Sequence, residues 1–236
     1  MLLPFLKWIQ SGTTAELAEA VEANPSLCEW RDAQGISALM WSVYYGQTAV
    51  RDFLLARLAA RGVALDIFEA AAAGNTTRLE ETLGSDAQAV HRFSPDGWTA
   101  LHLAAAFGTP EAAAVLLRNG ARVDAISQNP QRNQPLHAAL ALGGGAKMAE
   151  ILLQYRADPN AVQVGGYTPL FSAAAANRKD LAELLIAHGA DPHPVNDSGK
   201  TPAEYARERG HIEVANWLDS LPANARTPAH ANHPLR

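Results

Sequence analysis

Gly199-Lys200-Thr201 is the tripeptide that ends a phosphate-binding loop, in which backbone amides wrap the phosphates and the lysine neutralises them. Such a loop also needs a glycine five residues before its second one. Here that position is Pro194, which has no amide hydrogen to give, and no apolar strand precedes it. Nucleotide binding is therefore set aside. The three glycines at 143–145 could cradle an anion with their amides, but glycine runs chiefly permit unusual backbone angles, so an elongated turn is the preferred reading.

The histidines are His91, His102, His137, His188, His193, His211, His230 and His233. None sits in an H-E-x-x-H pattern or in a tight loop with carboxylates, so no metal is expected. Cys28 is the single cysteine, which rules out an intramolecular disulfide; a small buried hydrophobe is preferred to a nucleophile. No G-x-S-x-G elbow, Cys/His pair or carboxylate pair in a workable frame is found. The expectation is a protein with neither catalytic residues nor cofactor.

Composition narrows the partners. The net charge of −5 opposes non-specific nucleic-acid binding, which needs clustered Lys and Arg to release counterions. No apolar run reaches the ~18 residues of a membrane span. Residues 2–9 are apolar and Ala18-Glu19-Ala20 mimics a cleavage site, yet Lys7 interrupts the run and no basic residue precedes it. A cytoplasmic protein is expected. Hydrophobic residues reach 48% with aromatics only 7%, so the surplus is alanine and leucine, helix formers that pack closely. This alanine-rich composition points to a bacterial source.

The elements that position these residues recur. Residues able to enter the left-handed region stand at Gly12, Gly46, Gly74, Gly108, Gly143, Asn177 and Gly210, at gaps of 34, 28, 34, 35, 34 and 33. A short helix signal precedes each, and a second follows, ending in pairs such as Leu54-Leu55, Leu116-Leu117, Leu152-Leu153 and Leu185-Ile186. Ser37, Thr99 and Thr168 stand at first-helix caps, and Thr201-Pro202-Ala203-Glu204 spells a capping box. Thr13 with Glu16, and Thr77 with Glu80, fit the same box for second helices. A period near 33 residues predicts stacked small units in place of a single catalytic cleft.

The copies G-W-T-A-L-H-L-A-A-A-F-G from Gly97 and G-Y-T-P-L-F-S-A-A-A-A-N from Gly166, with fainter ones from Gly35 and Gly199, resemble the ankyrin repeat. The resemblance implies an all-α solenoid of helix–turn–helix units with projecting β-hairpin loops. About seven units would fill residues 1–220, and residues 221–236 would form a disordered tail. It also makes His102 and His137 structural hydrogen-bonding groups and Gly199-Lys200-Thr201 a hairpin-to-helix junction. The 28-residue gap before Gly74 leaves that unit without most of its hairpin, which predicts a notch in the projecting edge. Residues 126–134 replace the G-x-T signature with a polar loop.

In ankyrin arrays partners meet hairpin tips and the concave side of first helices. Those slots fall here on Ile36, Tyr44, Tyr45, Trp98, Phe107, Asn133, Leu142, Tyr167 and Lys200. Aromatic side chains there suit an interface, since they give contact energy at low entropy cost, although Tyr44 and Phe107 could simply pack on neighbouring hairpins. Trp41 is expected in the core. The expected function is a monomeric, non-catalytic adaptor or regulatory subunit that binds another protein. Two alternatives stay open: an inhibitor or immunity-type protein entering a cleft with loop 126–134, and a small-molecule or anion binder using His91, residues 143–145 or Lys200.

Overall fold

Leu39, Leu101, Leu136 and Leu170 are fully buried, each two residues after a first-helix N-cap, or one after a proline at the first helical position. Their burial organises an all-α array. The computed structural model describes residues 2–222; the tail expected over 221–236 lies outside these, apart from its first two residues.

Among the described residues the helices pack in pairs: α1 (Leu2–Ser11) with α2 (Thr14–Ala23), α3 (Ala38–Tyr44) with α4 (Thr48–Ala60), and α5 (Ile67–Ala73) with α6 (Thr76–Ser85). There follow α7 (Ala100–Phe107) with α8 (Pro110–Arg118), α9 (Pro135–Leu142) with α10 (Gly145–Gln154), α11 (Pro169–Ala175) with α12 (Lys179–Ala187), and α13 (Pro202–Glu208) with α14 (Ile212–Ser220). None exceeds 13 residues, near the limit for an isolated helix, so stacking must supply their stability.

The chain divides into two compact units, Met1–Ala157 and Asp158–Arg236. In the first, α1, α3, α5, α7 and α9 stack in succession; behind them α2 packs on α4, and α8 packs between α6 and α10. Alanines such as Ala71, Ala104, Ala105 and Ala139 are fully buried there and let the helices approach closely. In the second unit α11 stacks on α13, around Phe171, Leu185 and Leu218. The first residue of each Leu pair is buried, whereas Leu55 and Ile186 are half-exposed.

Local signals held unevenly. Ser37, Thr99 and Thr201 accept hydrogen bonds from the amides three residues on, and Thr201 completes its box with Glu204. Thr168 occupies the cap position, but its hydroxyl has no hydrogen-bond partner. The second-helix boxes fail: Thr13 makes no side-chain cap, and Asn75 caps α6 by accepting from the Arg78 amide at 3.0 Å, which leaves Thr77 inside the helix. An Asn at the cap position competes directly with the downstream threonine for the orphan amides.

Gly74 and Gly143 adopt left-handed backbones, as the mid-repeat position asks. Gly108 does not: its φ is −85°, and the reason for glycine there is close approach. An added Cβ would lie 2.4 Å from the Ala71 carbonyl oxygen on the neighbouring first helix.

The projecting loops are turns with one bridge apiece, Arg31 to Ser37, Phe93 to Thr99 and Gln163 to Tyr167. Between α4 and α5 the chain crosses directly, with Asp66 capping α5 in a box with Glu69. The notch expected there is nevertheless closed. A Cβ on Gly35 would sit 3.4 Å from Pro95, so the flanking loops meet over the shortened repeat. With no hairpin between them, nothing holds these two loops apart.

Candidate functional site

In the first unit the closed loop edge carries a continuous set of rings. Trp41 stacks on Tyr45 at 5.5 Å with planes 19° apart, and meets the Tyr44 ring edge-on at 5.9 Å. Tyr44 then packs against Phe107 at 5.5 Å, and Phe107 against Trp98 at 6.3 Å. Sequence spacing explains the assembly: Tyr44, the last residue of α3, and Tyr45, its C-cap, lie three and four residues after Trp41, one turn on, which brings both rings to its face. Phe107 ends α7, and Trp98 precedes its cap.

A carboxylate fastens each end of the α3 group. Asp32 Oδ2 accepts from Trp41 Nε1 at 2.9 Å, while its Oδ1 accepts the Gln34 and Ile36 amides in a turn. Asp96 Oδ2 accepts from Tyr44 Oη at 2.6 Å, and its Oδ1 from Ser94 Oγ. Burial, and then the bond to Asp96, push the Tyr44 phenol well above its ordinary range, so it stays a donor. Arg31, in the first of these loops, is taken up by Asp66 at 3.1 Å and by the buried Glu69 at 2.9 Å.

Behind this edge, His102 is fully buried and links consecutive repeats. Its Nδ1 faces Thr99 Oγ1 at 2.8 Å and its Nε2 faces the Asn133 carbonyl at 3.0 Å. Burial lowers its pKa to about 4, so the ring is neutral, with Nε2 donating and Nδ1 accepting. His137 repeats the inner half of the arrangement, accepting from the Gln134 amide at 3.3 Å.

The family model described as ankyrin repeats (3 copies) matches residues 67–163 and 147–227, together more than half of the 236-residue chain. The chain belongs to the ankyrin repeat family. No curated protein matches it.

Within this ankyrin array the sequence-derived contact residues separate. Tyr45 and Leu142 are well exposed, at 40% and 49%. Ile36, Tyr44, Trp98 and Phe107 are half-buried in the ring set or beside it, and Trp41 is half-buried with them, where the sequence reading had put it in the core. The stacking partner Tyr45, itself solvent-exposed, is what draws Trp41 outward. Asn133 is corrected: it is buried and bonded to Ser127 through both its side chain and its amide, which closes loop 126–134 on itself. That loop is further tied to its neighbour by Gln128 N donating to the Gly97 carbonyl at 2.8 Å.

In the second unit Tyr167 packs on Phe171 at 5.3 Å and on Tyr205 at 5.6 Å. Lys200 Nζ is held by both oxygens of Glu208 at 2.6 and 2.8 Å, so it is an ion-pair partner. Arg209 lies 3.9 Å over the Tyr205 ring.

The chemistry-bearing residues do not converge. His188 bonds the Leu184 carbonyl and His193 the Leu221 carbonyl, and no group of metal-ligating side chains assembles among the described residues. Burial pushes the Cys28 thiol up, and Sγ donates to the Pro25 carbonyl. A cavity of about 640 Å³ between two loops is lined by His91, Phe93, Thr99, Ile126 and the Arg122–Asp124 pair; the Thr99 hydroxyl there is engaged with His102. Among the described residues no helix is long and apolar enough to cross a membrane.

Asp32 and Asp96 escaped the sequence reading. Their signal was present but generic: Asp32 opens a turn three residues before Gly35 and Asp96 stands directly before Gly97, positions where acidic residues are common in turns.

Proposed function

We propose that this ankyrin protein is a non-catalytic protein-binding module, an adaptor or regulatory subunit. Its contact surface is the loop edge and first-helix face that bear Ile36, Tyr44, Tyr45, Trp98, Phe107 and Leu142. Within the second unit, Tyr167 and Lys200 are the corresponding contact positions. The observation that carries the proposal is the ring set running from Tyr45 through Trp41, Tyr44 and Phe107 to Trp98, half-buried and reaching solvent at Tyr45. Rings pre-packed against each other lose little entropy on docking and offer large contact areas, the properties of interface anchors.

The binding array is taken as residues 1–220, acting as a monomer in a reducing compartment, which suits the buried thiol of Cys28. The alternative, an inhibitor or immunity-type protein that blocks a partner enzyme, would present loop 126–134 as a loop anchored to its neighbour through Gln128 and Gly97.

The test is affinity capture from the native lysate with wild type and a Tyr45→Ala/Trp98→Ala variant, both first shown to be equally helical. A protein retained by the wild type and lost by the variant supports the proposal. Equal retention by both moves the contact surface elsewhere.

A further inference from the structure

Two ring clusters in this chain differ in one respect. In the second unit the Tyr167–Phe171–Tyr205 cluster has its own cation: the Arg209 guanidinium lies 3.9 Å over Tyr205 and donates to its hydroxyl at 2.9 Å. In the first unit the larger cluster has none. Among the described residues no Lys or Arg is stacked on Trp41, Tyr44, Tyr45, Trp98 or Phe107.

The charge around that cluster is also unbalanced. Asp32 and Asp96 are bonded only to neutral donors, namely amides, an indole, a hydroxyl and a phenol. Neither has a cationic partner among the described ion pairs. Arg31, in the same loop as Asp32, is already shared between Asp66 and Glu69. Four carboxylates (Asp32, Asp66, Glu69 and Asp96) thus stand against one cation around the closed loop edge. The two unbalanced ones are joined through the rings, since Asp32 bonds Trp41, Trp41 meets Tyr44, and Tyr44 bonds Asp96.

We infer that the ring set of the first unit, flanked by Asp32 and Asp96, receives an arginine side chain from an extended segment of the protein partner. This rests on the binding-module reading above and names the chemistry of what is bound. Negative ring faces and uncompensated carboxylates select a cation. A guanidinium is the better fit than an ammonium because it is planar, weakly hydrated, able to lie flat on Tyr45 or Trp41 and able to fork two hydrogen bonds to a carboxylate. The second unit satisfies the same requirement from within the chain by using an arginine.

The probe is a capped six-residue peptide carrying two arginines among glycines and serines. Copies with both arginines replaced by citrulline, or by lysine, serve as comparisons. Binding to the full chain is followed by tryptophan emission and by calorimetry. The arginine peptide is expected to bind saturably, with the citrulline copy at least ten-fold weaker and the lysine copy weaker as well. An Asp32→Asn/Asp96→Asn variant removes both charges; Asp96→Asn keeps an acceptor for Tyr44, whereas the single oxygen left by Asp32→Asn must serve the Trp41 indole and the turn amides together. Once shown to be as helical as the wild type, it is expected to bind at least five-fold more weakly; Tyr205→Ala, in the second unit, is expected to leave binding unchanged. No saturable binding, equal binding of the citrulline or lysine copy, or equal binding by the Asp32→Asn/Asp96→Asn variant overturns the inference. A lysate partner lost on Tyr45→Ala/Trp98→Ala but kept by Asp32→Asn/Asp96→Asn would overturn it while leaving the binding-module reading intact.

Discussion

Tyr44 donates a 2.6 Å hydrogen bond to Asp96, a residue 52 positions away and beyond an entire intervening repeat. The bond exists because α5 follows α4 through a short crossing with no projecting loop, which lets the loops on either side meet. A deletion in one repeat has thus become a contact between its neighbours. That contact fixes the ring set proposed as the docking surface.

Tyr44→Phe keeps the ring contacts and removes only this bond. It is expected to cost about 1.5 kcal/mol, typical of one hydrogen bond to a charged acceptor. Urea unfolding of the two proteins measures it; an unchanged midpoint would show that the loops are held together without it.

His102 makes stability depend on pH. Its folded pKa, about 4, lies below the ordinary 6.5, so between those values the unfolded chain binds the extra proton. The contribution is therefore complete above pH ~6.5 and is lost as pH falls through ~4, a total of about 3 kcal/mol. The neutral ring is required because Nδ1 accepts from Thr99, and a proton there would oppose the Thr99 amide. Urea midpoints from pH 7 to 4 should fall for the wild type and fall less for His102→Asn.

Gly108 and Gly143 are glycines for different reasons. Gly108→Ala drives a Cβ into the Ala71 carbonyl and the Ala104 backbone, neither of which can rotate away, and should cost about 3 kcal/mol. Gly143→Ala meets nothing within 4 Å and should cost only the left-handed strain, about 1–2 kcal/mol. Thermal or urea unfolding of the pair distinguishes them, and equal losses would contradict the close-approach argument.

Arg31→Met leaves Glu69, whose side chain is only 6% exposed, with the Asp66 amide but no cation. A loss of about 2 kcal/mol is expected. Adding Glu69→Gln should recover part of it, because the stranded charge is then gone. A double variant no better than the single would show that the cost comes from the loop and not from the charge.

The fold was legible because its signals repeat. The mid-repeat glycines, the Leu pairs and the caps at Ser37, Thr99 and Thr201 each state the same period, and local errors such as Thr77 for Asn75 do not disturb it. The site was less legible because its decisive contacts are not periodic. Nothing at Asp96 announces Tyr44, and only the missing hairpin brings them together. Asn133 looked like an exposed slot by register, yet the loop that replaced the usual signature folds inward onto Ser127. Trp41 looked like core by register, yet Tyr45 beside it supplies a partner at the surface.

The most direct test of the docking surface is a hydrogen-exchange footprint of the chain bound to its captured partner. Protection concentrated in residues 31–45 and 93–107 is the result expected if the ring set is the contact. Protection confined to the second helices α4, α6 and α8, with those two segments unchanged, would contradict it.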